Sequence, residues 1–182
     1  LLYGLHPLIL TAFAGHGHQD VFMIAGILGA IAARSRKKWS LMFVLLGLAI
    51  QVKYFPILIV PLFINRVNWR KAWIGLAVGL GPLIPFFFKD GMSVFASFRK
   101  FGHAFTFNSS IHGLVMLMTD NIHFATIVCE IMFVLIWFTI MIKLHPDRVT
   151  GTSLEISTLS TIVFCVYFLL LPTVHSWYLT IL

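Results

Sequence analysis

Charge is scarce in this sequence. Only 10% of the 182 residues are Asp, Glu, Lys or Arg and 59% are hydrophobic, whereas soluble domains carry about 25% charged residues. That scarcity excludes an ordinary soluble globule. Cysteine is scarcer still. Cys129 and Cys165 both fall in apolar runs without a Cys-x-x-Cys spacing, which excludes a disulfide or zinc framework and leaves two small buried hydrophobes. A secretory signal pattern is also lacking. The sequence starts without Met inside one apolar run and stops at Leu182 inside another. It therefore reads as a piece of a longer protein, one domain over residues 1–182 that is incomplete at both ends.

What is present is a series of apolar runs of about 20 residues, the length of a membrane-crossing helix. Ala72–Phe88 (kinked by Pro82 and Pro85), Ile122–Ile142 and Leu154–Leu171 each predict a span. Leu1–Ala14 carries Pro7 and reads as a spanning or interfacial segment. Val21–Ala33 is rich in glycine and alanine, and Gly26 and Gly29 allow close helix packing. The fold class is all-α, a polytopic transmembrane helical bundle with short broken helices. The net charge of +7 resides mostly in short loops. It therefore reads as membrane topology, and no nucleic-acid partner is implied.

Two basic loops set a puzzle. Arg34, Arg36, Lys37 and Lys38 form one, and Arg66, Arg70 and Lys71 the other. Both should be cytoplasmic, yet Leu41–Ile64 between them is long enough to cross once. Gln51-Val52-Lys53-Tyr54-Phe55-Pro56 interrupts that run with an amide, a charge and a proline. Pro56 removes a helix hydrogen bond and disfavours helix at Phe55. The expectation is two half-helices, Leu41–Ile50 and Ile57–Ile64, folded as a V with Lys53 at its apex. A single tilted helix with Lys53 snorkelling is the alternative. With the V, all basic residues except Lys53, Lys89, Arg99 and Lys100 lie inside. Every histidine except His145 then lies at or toward the outer side.

The polar groups converge on that outer face. Gly15-His16-Gly17-His18-Gln19-Asp20 is a polar knot between apolar runs, and ionisable groups there are costly enough to mark a functional site. Capping of the following helix is the plainer role for Asp20. Lys89–Asn121 is a less hydrophobic loop with interfacial helices, carrying Arg99, Lys100, His103, Asn108 and His112. His175, Trp177 and Tyr178 close the chain, the aromatic pair where an interfacial belt is expected. Glu130, in mid-span, is expected to face the bundle interior with a hydrogen-bond partner. Cations at a membrane face suit a lipid phosphate, whose developing charge they stabilise as a leaving group. A carboxylate suits a base toward a hydroxyl acceptor. The combination fits transfer of a group from a lipid phosphate to an acceptor outside the membrane. Two further readings stay open. Broken helices, a buried lysine and inward histidines also mark a secondary transporter with a midplane site, although no repeated half is visible. His16, His18 and Asp20 can ligate a metal together only from a loop or extended segment, which leaves a divalent metal open without a motif that requires one.

Four motifs carry a resemblance. His6-Pro7-Leu8 with Gly17-His18-Gln19-Asp20, Lys53-Tyr54-Phe55-Pro56 followed by Pro61, Phe107-Asn108-Ser109-Ser110, and Pro172-Thr173-Val174-His175-Ser176-Trp177-Tyr178 stand in this order. Together they resemble the GT-C superfamily of polyprenol-phosphate-sugar glycosyltransferases, bacterial mannosyltransferases in particular. The resemblance implies an inverting, multi-pass hexosyltransferase of the bacterial plasma membrane with an extracytoplasmic site. Its partners would be a polyprenyl-phosphate sugar donor, membrane lipids and a glycan or lipid-linked acceptor. The usual catalytic carboxylate of that family lies in the first external loop, upstream of residue 1. Asp20 then matches a second acidic position that orients sugar or acceptor hydroxyls, with His18 beside it as the other catalytic candidate. Lys53 and His175 would lie near the donor's phosphate or sugar. His16, Tyr54, Arg99, Lys100, Asn108, His112, Trp177 and Tyr178 complete the candidate substrate contacts.

Overall fold

The computed structural model describes residues 19–96, 106–144 and 152–175, with Pro7 and Tyr178. Helix α1, Asp20–Ser35, buries Met23, Ile27, Ala30 and Ala33 along one stripe, the three-to-four spacing of a helix face. A tight turn follows, with the Lys38 amide donating to the Ala33 carbonyl at 2.9 Å and Lys37 in the left-handed region at φ 56°. Helix α2, Trp39–Val52, runs back antiparallel and buries Met42, Phe43, Leu46, Ala49 and Ile50. A Cβ on Gly26 would stand 3.0 Å from the Leu45 carbonyl oxygen, so the α1–α2 approach depends on that glycine's missing side chain.

The chain then folds as the V. Lys53 caps α2 with an extended backbone (φ −148°, ψ 143°). A 3₁₀ turn, Phe55–Ile59, and a single α-helical turn α3, Val60–Phe63, lead back. The return is fixed by hydrogen bonds. The buried Arg34 guanidinium donates to the Phe63 carbonyl at 3.0 Å, and the buried Asn68 amide donates to the same oxygen at 2.9 Å. Both basic loops therefore lie at one end of the bundle, and the single tilted helix is ruled out. The first arm is longer than the Leu41–Ile50 expected. The second, expected as α-helix over Ile57–Ile64, begins as 3₁₀ through Ile59 and is α-helical only over Val60–Phe63, with Pro56 lacking the amide that a regular α-helix would use. Trp137 Nε1 donates to the Leu58 carbonyl at 2.8 Å, a partner for backbone in this broken stretch, as membrane burial demands.

Among the described residues, three stretches are long and apolar enough to cross a membrane: Trp69–Ser93, Ile122–Lys143 and Ser153–Leu170. The first contains α4, Ala72–Leu80, and α5, Ile84–Asp90, joined by a 3₁₀ turn at Gly81–Leu83 where the prolines were expected to kink it. Helix α4 runs parallel to α2: Gly75 packs on Phe43, and Gly79 on Gly47 and Ile50. The loop ahead of the second span holds α6, Ile111–Thr119. Helix α7, Ile122–Lys143, is capped by Asn121, whose side chain accepts from the Phe124 amide at 3.0 Å. Helix α8, Ser153–Leu170, starts on a reciprocal capping box between Thr152 and Glu155. Its stripe Ile156, Leu159, Val163, Phe164 and Phe168 closes the core against α1, α2 and the V. Packing and polar contacts, more than water expulsion, hold such helices together in lipid.

The V gives a direct expectation. Cysteines at Ser35 and Val67, on the two basic turns, should both react with an impermeant maleimide from the same side of the membrane. Labelling from opposite sides would disprove the return.

Candidate active site

The antiparallel run of α1 and α2 sets the first turn of α1 beside the broken end of α2. There the Lys53 ammonium lies 2.5 Å from Asp20 Oδ1. Asp20 is buried, and Gln19, at the N-cap, makes no side-chain cap. Capping is thus not the whole role of Asp20: its carboxylate holds a cation. The extended backbone at Lys53 follows from the break ahead of Pro56, and it lets the side chain turn back to α1. The ammonium also stands 4.3 Å from the centre of the Tyr178 ring and 5.7 Å from that of Phe55, both attractive positions for a cation. Lysine has three donors, so the bond to Asp20 leaves two for an incoming oxygen.

An aromatic wall orders this point. Phe55 meets the rings of Phe164, Phe168 and Tyr178 at centroid distances of 5.8, 5.7 and 6.1 Å. Tyr178 stacks on Phe168 and meets His175 edge-on at 5.4 Å. His175 in turn lies against Phe107 at 5.9 Å. Backbone bonds join these two motifs: the Phe107 amide donates to the Pro172 carbonyl at 3.1 Å, and the Val174 amide to the Phe107 carbonyl at 2.8 Å. Asn108 follows in the left-handed region (φ 50°), exposed at the surface, a conformation that asparagine tolerates. Burial, then the neighbouring Tyr54 and Asp20, push the Tyr178 hydroxyl above its usual range, so it stays protonated as a donor.

Beside this point is a cavity of about 230 Å³ between α7, α8 and the apex of the V. Tyr54, half exposed, and Tyr178 form its near wall, with Tyr167 beside them. Thr126, Cys129, Glu130 and Phe133 form the α7 wall. Glu130 corrects an expectation. It is exposed in the chain and has no hydrogen bond or ion pair among the described residues, so it faces the cavity without a partner.

His112 is also placed differently from a substrate contact. It is fully buried behind the α7 wall, its Nε2 3.1 Å from Thr126 Oγ1. The Thr126 hydroxyl spends its proton on the Ile122 carbonyl at 2.9 Å, so His112 Nε2 must be the donor. Nδ1 is then an unprotonated acceptor, buried and without a partner among the described residues. Burial holds this imidazole below its usual range, in the neutral form. His112 ties α6 to α7.

The structure thus brings together Asp20, Lys53, Tyr54, His175 and Tyr178, with Asn108 adjacent in chain to the Phe107 contact. His16, His18, Arg99, Lys100, His103 and Trp177 lie outside the described residues. Among the described residues no three His, Cys, Asp or Glu side chains come together. The α7 wall escaped the sequence reading, although residues 126, 129, 130 and 133 carry the spacing of one helix face. The Phe107–Thr173 bridge left no such trace.

Residues 2–172 match the sequence profile of glycosyltransferase family 87. No curated protein and no solved structure matches the chain. With the match covering nearly all of a bundle built from apolar spanning helices, the chain belongs to glycosyltransferase family 87 and is a membrane glycosyltransferase of the GT-C type.

Proposed function

We propose that this enzyme moves a hexose, mannose by the motif resemblance, from a polyprenyl-phosphate donor to a glycan or lipid-linked acceptor on the extracytoplasmic side of a bacterial plasma membrane. The observation that supports this most is the Asp20–Lys53 pair at the head of the V, beside a cavity and at the end opposite both basic loops. Positive loops face the cytoplasm, which turns the pair outward. In the reaction the bond between the anomeric carbon and the phosphate oxygen breaks. The acceptor oxygen bonds that carbon, its proton passes to a base, and polyprenyl phosphate leaves.

Lys53 is assigned to the donor phosphate. A preorganised ammonium gains most where negative charge grows during bond breaking. Asp20, already bonded to it, holds the ammonium in place, and the protonated Tyr178 hydroxyl and His175 flank the same spot. The proton-accepting carboxylate is assigned to the first external loop of the family, as the motif resemblance implies. Family membership favours this over the transporter reading.

Purified full-length enzyme in liposomes should transfer label from radiolabelled polyprenyl-phosphate-mannose to an acceptor without any nucleotide sugar. Transfer that instead requires a nucleotide-activated sugar and ignores the lipid donor would overturn the proposal.

A further inference from the structure

Glu130 has no part in the chemistry above, and it sits where a carboxylate is costly. It is the sole acidic residue of α7, within a membrane-length apolar helix. A charge at such depth without a partner is expensive and marks function by default. Its side chain lines the cavity together with Tyr54, Tyr167, Thr173 and Tyr178, and it has no polar partner among the described residues. An apolar cavity with a few converging polar groups is the form of a ligand site.

Three parts of a lipid-phosphate sugar could enter. The isoprenoid tail offers nothing to a carboxylate. The phosphate is repelled by it and drawn to Lys53. The sugar carries hydroxyl donors, which are what an unpartnered carboxylate lacks. Position agrees with this assignment. Tyr54 follows Lys53 in the chain, and Tyr178 lies under the Lys53 ammonium, so the cavity starts where the phosphate is proposed to bind. The group attached directly to that phosphate is the sugar. We infer that Glu130 accepts hydrogen bonds from the donor's sugar hydroxyls and sets the preference for the glycosylated over the bare lipid phosphate. This inference rests on the donor proposed above.

The test is lipid binding by the full-length protein in nanodiscs, with polyprenyl-phosphate-mannose, polyprenyl phosphate and polyprenol of one chain length as probes. Wild type should bind the mannosylated lipid about tenfold more tightly than polyprenyl phosphate, since hydrogen bonds to a charged group carry about that advantage. Glu130→Gln should lose most of that tenfold while binding polyprenyl phosphate as well as wild type or slightly better. The bare lipid thereby reports that the variant is folded. Equal losses for both lipids, or none for either, would overturn the role of Glu130 alone. Wild type that binds neither phosphate lipid better than polyprenol would overturn the donor assignment, and this inference with it.

Discussion

Replacing Lys53 with Met should cost the enzyme both its activity and much of its stability, and the two losses should separate in a double variant. Asp20 is buried and Lys53 is its partner at 2.5 Å. Removing one member of a buried ion pair leaves an uncompensated charge, which costs about 3–5 kcal/mol. The Lys53 side chain keeps a quarter of its surface exposed, so the lower end of that range, about 3 kcal/mol, is expected. Lys53→Met should therefore melt well below wild type in a detergent thermal-shift assay. Asp20→Asn added to Lys53→Met removes the stranded charge and should recover most of the melting temperature. Transfer should not recover. Without the ammonium, charge on the departing phosphate has no preorganised cation, a loss on the order of 100-fold or more in turnover. A Lys53→Met enzyme that turns over normally would remove Lys53 from the site. A double variant no more stable than the single one would show that the ion pair does not govern stability.

That pair shows what the sequence made legible. Lys53 and Asp20 were each conspicuous as ionisable groups in apolar surroundings, and Pro56, three residues after Lys53, predicted the break. Local steric rules and the cost of burying charge were enough for this much. The V followed from one further constraint, two basic loops on one side of a membrane, and the Arg34 and Asn68 bonds to Phe63 show how it closes. The pairing of Asp20 with Lys53 was not legible, because it depends on the antiparallel register of α1 against α2. That register is set by packing at Gly26 and Ala49, contacts distant in sequence. His112 marks the opposite case. A histidine in a polar loop looked like a substrate contact, yet its ring is buried behind α7 and bonded to Thr126. Residue type alone does not tell an imidazole that faces a cavity from one that fastens two helices. Glu130 was noticed as an acid in a span and does face inward, but it lines a cavity instead of meeting the hydrogen-bond partner expected, since that cavity exists only once α7, α8 and the V are assembled.

Gly47→Ala, a single added methyl group, should disturb the site from a distance. A Cβ at Gly47 would stand 2.8 Å from the Gly75 carbonyl oxygen and 2.8 Å from Val78 Cβ. Backbone cannot yield as a flexible side chain can, so α2 and α4 must move apart. Overpacking of this kind costs about 1–3 kcal/mol. Separation also strains the bond that Gln51 Nε2 donates to the Val78 carbonyl, just before Lys53. Lys53 rides on the end of α2, and small misplacements of a positioning group can lower rates up to about 100-fold. The expected result is a lower melting temperature and a fall of about tenfold in turnover. Gly81→Ala, on the same span as Gly75, is the control. Beyond its chain neighbours, a Cβ there meets nothing within 4 Å, so the added methyl strains only the local contact with Pro82. It should leave the α2–α4 contact intact and transfer close to wild type. If Gly47→Ala behaves like Gly81→Ala, then close contact between α2 and α4 is not what holds Lys53 at the head of the V.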